Sequence, residues 1–167
     1  MFRDCATLLL FAGLASWPAC TSKAYESQGD ASAEASSSAP AAEPDAIKVQ
    51  HVLIGFTDAV GFKGAAPPKA SGRSRMEAER LAGDILKRAK AGEDFDGLVR
   101  QYTDDSPPGI YGMTNRGKKP IKGFYERDGM APAFGDVGFP LKVGEIGMAG
   151  YDEMSSPYGW HIIKRIE

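Results

Sequence analysis

Cysteine is nearly missing from this chain. Two occur in 167 residues, Cys5 and Cys20, and residues 21–167 have none. That excludes a disulfide framework and a thiolate metal centre from most of the chain. Histidine is as scarce, with only His51 and His161. Two imidazoles without a thiol make a poor metal site, so neither metal nor cofactor is expected. An excess of one charge is also lacking: the formal net charge is -2. Of 20 Lys+Arg, two lie in residues 1–46, and of 22 Asp+Glu, six do. The larger part is mildly basic and the leader acidic, which makes no case for nucleic-acid binding. Internal repeats are absent. Apolar content of 43% and charged content of 25% are those of a globular domain.

The N-terminus reads as a targeting segment. Arg3 supplies a minimal positive region, and residues 6–17 form an apolar run too short to span a bilayer. The run ends at Cys20 after Ala19, which resembles a bacterial lipobox, where the cysteine takes the lipid anchor. Trp17 and Pro18 depart from that pattern. Residues 1–20 are expected to be a signal peptide and Cys20 a lipid attachment point, placing the protein on the periplasmic side of a bacterial membrane. The alternative is cleavage near Ala19 and a soluble periplasmic or secreted protein. Residues 21–46, rich in Ala, Ser, Glu and Pro, have little to bury and read as a disordered tether. Residues 47–167 are the expected folded domain, large enough to hold together by its core alone.

Two strand-like runs bracket that domain, and each carries one histidine. In residues 47–56, Ile47, Val49, His51 and Leu53 share one face, and Val52, Ile54 and Phe56 the other. A strand apolar on both faces is central to its sheet. The second run, residues 158–167, carries His161. Such a histidine is either a satisfied core residue or part of a site, and the strand alone does not decide.

Between these runs, residues 57–72 form a loop rich in Gly, Pro, Ala and Lys. Ser74 and Glu77 fit a capping box, and Ala78, Leu81, Ala82, Ile85 and Ala89 follow at helical spacing before Gly92. Asp94 caps a second helix whose Phe95, Leu98, Val99 and Tyr102 form a compact stripe. Residues 103–112 turn, and Asp104 and Asp105 there read as turn formers or a solvated pair. Residues 115–129 read as an exposed basic loop. A short helix opens at Met130-Ala-Pro-Ala-Phe134, and two strands close the chain. The order predicts an α+β fold with a mostly antiparallel sheet covered by helices.

The run from His51 through the first helix resembles the parvulin peptidyl-prolyl isomerases. So do Gly92-Glu-Asp-Phe95, Tyr102-Thr-Asp-Asp105, Met130-Ala-Pro-Ala-Phe134, Leu141-Lys-Val-Gly-Glu-Ile146 and Ser156-Pro-Tyr-Gly-Trp-His-Ile-Ile163. The resemblance covers residues 47–167 and implies a four-stranded mostly antiparallel sheet surrounded by about four helices. It implies rotation of X-Pro bonds in unfolded or flexible polypeptides, with no cofactor, by a monomer held to the membrane through its N-terminal lipid. It also implies a site. His51 and His161 match the family's paired histidines, Asp105 its Cys-or-Asp position, and Ser156 a hydroxyl position near the second histidine. Met130 and Phe134 match the proline pocket. Tyr111 stands where leucine is usual, and the stretch from Arg116 to Met130 is longer than in compact members.

Two further alternatives stay open. Lys63, Lys69, Arg73 and Arg75 lie where some parvulins bind a phosphorylated or acidic residue before proline; scattered as they are, they also read as a solvated loop. A non-catalytic chaperone or peptide-binding module of the cell envelope could use the same groove, though it would not need the polar set.

Overall fold

The sheet is built around β1, Ala46–Ile54, which is paired on both sides. Its neighbours are β2, Ile110–Thr114, and the C-terminal strand β5, Trp160–Arg165, both antiparallel to it. A two-residue strand β3, Tyr125–Glu126, adds to β2 in parallel, and β4, Ile146–Ala149, adds antiparallel to β5. The order is β3-β2-β1-β5-β4. The α+β class stands, with five strands rather than four; β3 is too short to leave a two-residue periodicity in sequence. The computed structural model describes residues 42–167, so Cys20, the signal segment and most of the spacer lie outside the described residues.

Three α-helices cover the sheet: α1 at Arg75–Lys90, α2 at Phe95–Tyr102 and α3 at Pro132–Gly138. Two single 3-10 turns, Val60–Phe62 and Arg127–Gly129, take the place of a fourth helix. The capping box forms as expected, with Ser74 Oγ accepting from Glu77 N–H and the Glu77 carboxylate accepting from Ser74 N–H. Asp94 caps α2 through Gly97 N–H.

The alternation of β1 divides the core in two. Val52, Ile54, Phe56 and Ile162 face α1 and α2, where Ala78, Ala82, Ile85, Phe95 and Leu98 meet them. Ile47, Val49 and Ile163 face the other way, against Met113, Phe134 and Phe139. Small alanines on α1 let the helix approach the sheet closely. The side bearing Phe134 is where His51 and His161 emerge.

Two boundaries differ from those expected. Residues 43–45 belong to the domain, not the tether. Asn115 N–H donates to Asp45 O (2.8 Å), Asn115 Nδ2 donates to Pro44 O (3.0 Å), and Glu43 pairs with Arg127. Polar composition hid this because the contacts are hydrogen bonds, not apolar burial. Residues 115–129 are not uniformly an exposed loop either: Arg127 is only 6% exposed.

Candidate active site

The register of β1 and β5 brings the histidines together. His51 lies opposite Ile163 and His161 opposite Leu53, so the imidazoles project diagonally from one face of the sheet. Their rings are nearly parallel, at 18°, and the two Nδ1 atoms are 3.2 Å apart. His51 Nε2 lies 3.0 Å from Asp105 Oδ2, and Tyr111 Oη donates to the same oxygen at 2.6 Å.

Asp105 is delivered by a segment that runs along β1. Thr103 Oγ1 accepts from Leu53 N–H (3.1 Å) and Asp105 N–H (3.2 Å), and Asp104 N–H donates to Leu53 O (2.8 Å). His51 N–H donates to Gly109 O. Gly109 has φ +64°, and a Cβ there would lie 2.6 Å from His51 O, so this contact requires glycine.

The electrostatics sort the protons. The His51 bond, joined by those from Tyr111 and the Ser106 N–H, outweighs burial and holds the Asp105 carboxyl far below the usual carboxylate range. Burial, then the bond to Asp105, pushes the Tyr111 phenol up, so it stays protonated as a donor. Burial, then the His51 ring beside it, brings His161 down to about 3. With Asp105 ionised, His51 Nε2–H donates to it, leaving His51 Nδ1 to accept from His161 Nδ1–H. His161 Nε2 is then a bare acceptor, consistent with its being buried without a partner among the described residues.

This proton assignment fixes a pH dependence. The unfolded chain binds a proton at His161 as pH falls through about 6.5, whereas the folded chain resists until about 3. Stability is therefore lost as pH drops across that window, by up to about 1.4 kcal/mol per pH unit from this residue. Urea midpoints measured between pH 7 and 4 should fall more steeply for the native chain than for His161→Gln. Equal slopes would exclude the assignment.

Beside the relay lies a cavity of about 430 Å³. Phe134 forms its floor and stands edge-on to His51, His161 and Tyr111, at centroid distances of 5.0, 5.3 and 6.0 Å. Met130 lines the same side, and Phe62 and Tyr158 line the cavity together with it. Those two rings pack on each other at 5.7 Å; neither was expected in the pocket, because they come from a loop and a turn 96 positions apart.

Six of the seven residues expected at the site converge: His51, Asp105, Tyr111, Met130, Phe134 and His161 all line the cavity. Ser156 does not. It is fully buried, and its hydroxyl donates to Gly159 O (2.8 Å), holding the turn that leads into β5. Asp104 was missed. Its carboxylate is wholly buried, accepting from Arg73 Nη1 (2.6 Å) and Gly55 N–H (2.7 Å). Two of the loop cations are engaged within the domain, Arg73 mostly buried and Lys69 exposed. Arg73 is spent on Asp104 and Gly55 O, and Lys69 on the carbonyls of Gln101 and Thr103. Arg75 lies over the Tyr151 ring.

Comparison with known proteins agrees with this geometry. The profile of the PPIC-type PPIASE domain family matches residues 35–167. The chain belongs to that family. Chaperone SurA of Methylobacillus flagellatus is 30% identical over 126 residues, 74% of this chain and 22% of that protein. Foldase protein PrsA of Bacillus subtilis is 31% identical over 90 residues, 53% of this chain and 27% of that protein. The chain thus spans about a quarter of the length of these relatives. Among solved structures, the peptidyl-prolyl isomerase ESS1 from Candida albicans superposes with a TM-score of 0.54 at 24% identity, covering 74% of this chain and 63% of its own. TbPIN1 gives 0.53 at 22% identity, covering 74% of this chain and 98% of its own. The parvulin fold follows.

Proposed function

We propose that this PPIC-type domain catalyses cis–trans rotation of X-Pro bonds in unfolded or flexible exported polypeptides and so assists their folding. In this reading residues 1–20 are a signal peptide, Cys20 carries a lipid, the following residues are a spacer, and the domain works as a monomer on the periplasmic side of the membrane. The observation that carries the catalytic reading is the apolar pocket of Met130 and Phe134 set directly against the Asp105–His51–His161 relay. Relatives named as foldase and chaperone support a polypeptide substrate.

The chemistry asks for no bond cleavage. Rotation faces a barrier of about 18–20 kcal/mol from amide resonance, and uncatalysed exchange takes roughly tens to hundreds of seconds. A site must favour the twisted amide over the planar one. The pocket holds the proline ring and removes water from the carbonyl, whose planar form is the more polar. Asp105, ionised and fixed by two donors, opposes the negative charge that resonance places on that oxygen. A carboxylate is a weak nucleophile toward an amide, so its role is electrostatic. The histidines orient Asp105.

The test is an isomerisation assay on the purified chain with Ala-X-Pro-Phe peptides. Native protein should accelerate exchange, and Met130→Ala, at a half-buried position, should lower kcat/KM about tenfold while the fold persists. A folded protein with no acceleration would leave the peptide-binding reading, to be followed by an aggregation assay. The same assay settles the preference at X. Because Arg73 and Lys69 are occupied within the domain, Glu-Pro and phosphoserine-Pro peptides should turn over no faster than Leu-Pro. Faster turnover of either would show that loop cations reach the substrate.

A further inference from the structure

The proposed mechanism makes no use of a second charged cluster, in which exposed carboxylates converge on one buried arginine. Arg127 begins the 3-10 turn that leads into Met130, yet its guanidinium points away from solvent. Nη1 donates to Glu43 Oε2 (2.6 Å) and Asn115 Oδ1 (2.9 Å), and Nη2 donates to Asp136 Oδ1 (2.8 Å). The guanidinium lies over the Phe139 ring, 4.5 Å from its centroid. Asn115 Nδ2 closes the cluster by donating to Glu43 Oε2 (3.2 Å). Three segments distant in sequence thus share one cation: the N-terminal segment at Glu43, the start of the 115–129 stretch, and α3.

The cluster lies behind the pocket. Asp136 and Phe139 belong to or directly follow α3, the helix that carries Phe134. A Cβ on Gly135 would lie 2.8 Å from Arg127 Cγ and 3.1 Å from its Nε, so the arginine stem packs directly on the residue after Phe134. Met130 N–H donates to Arg127 O (3.1 Å). With only seven residues and no side-chain N-cap, α3 cannot hold its own position. Arg127 touches both ends of the pocket wall, and Glu43 satisfies the half of its fork that Asp136 does not reach.

We propose that Arg127 is a positioning residue for Met130 and Phe134, and that Glu43, from the N-terminal segment, completes it. The inference rests on the isomerase reading for its kinetic consequence but not for its structural one. The N-terminal segment is then a working part of the pocket, although it precedes residue 47, where the sequence motifs of the family begin.

The experiment uses the full chain and four variants: Glu43→Gln, Arg127→Leu, Arg127→Lys and the double variant that joins the first two. Glu43→Gln should raise KM for a Leu-Pro peptide about three- to tenfold and leave kcat within about twofold, since the wall that seats the proline ring shifts while the relay stays intact. In the Arg127→Leu background the same change should add nothing. Arg127→Lys keeps the charge but loses the fork, and should behave like Glu43→Gln. Amide hydrogen exchange read on the same proteins should speed up across residues 127–139 in Glu43→Gln and not in β1 or β5. Unchanged KM and unchanged exchange in Glu43→Gln would overturn the proposal, as would an equal effect of that change with and without Arg127. If the native chain proves to have no isomerase activity, the isomerase reading fails and the exchange measurement still decides the coupling.

Discussion

Phe134→Ala should lower kcat/KM about 30- to 100-fold and destabilise the fold by about 3–5 kcal/mol. The two effects have one origin. Phe134 is 2% exposed and packs with Ile47, Val49, Met113, Phe139 and Ile163 in the smaller core cluster, while its edge faces both imidazoles. Removing the ring opens a void that joins the active-site cavity. Water then reaches the relay, and the proline ring loses its floor. Phe134→Leu separates the contributions: it restores most of the volume, costs less than about 1.5 kcal/mol, and still lacks the aromatic edge. Stability is read from urea unfolding and activity from the peptide assay at a temperature where all variants are folded. Full activity in folded Phe134→Ala would remove this residue from the site.

Asp104→Asn should cost about 3–5 kcal/mol, as large an effect as any core truncation, at a position outside the proposed relay. The Asp104 carboxylate is fully buried, and its partner Arg73 is 15% exposed. Asparagine can still accept from Gly55 N–H, so the backbone contact survives. What remains is a mostly buried guanidinium without its counter-charge. Combining Asp104→Asn with Arg73→Met removes that charge and should recover most of the loss, which urea midpoints would detect. No recovery would mean that the damage lies in the backbone contact. Because this pair ties down the loop that carries Phe62, Asp104→Asn should also raise KM.

The contrast between Asp104 and Asp105 shows what sequence discloses here. As a dipeptide they read alike, and only the family resemblance singled out the second. Their environments differ because the chain pleats along β1, turning one side chain toward Arg73 and the other toward His51. Local signals were legible: Ser74 with Glu77, Asp94, the alternation from Ile47 to Ile54, and the stripe on α2 each involve neighbours within a few positions. Arg127 was not, since its partners at 43, 115 and 136 are scattered and its own surroundings are polar and glycine-rich. The hydrogen bond of Ser156 was not legible either. Its place in the motif suggested proximity to His161, and its hydroxyl donates within the four-residue turn 156–159.

The pairing of β1 with β5 also has a consequence in time. His51 and His161 are 110 positions apart, and their strands are hydrogen-bonded neighbours. A chain that emerges from its N-terminal end, whether from a ribosome or through a membrane, presents β1 long before β5 exists beside it. During that interval the central strand has one flank open, and the smaller core lacks Ile163. The relay cannot form by local contacts, and closing so long a loop delays the step that joins the two ends. Activity should therefore appear all at once, with the arrival of the last strand, and nascent chains should show none.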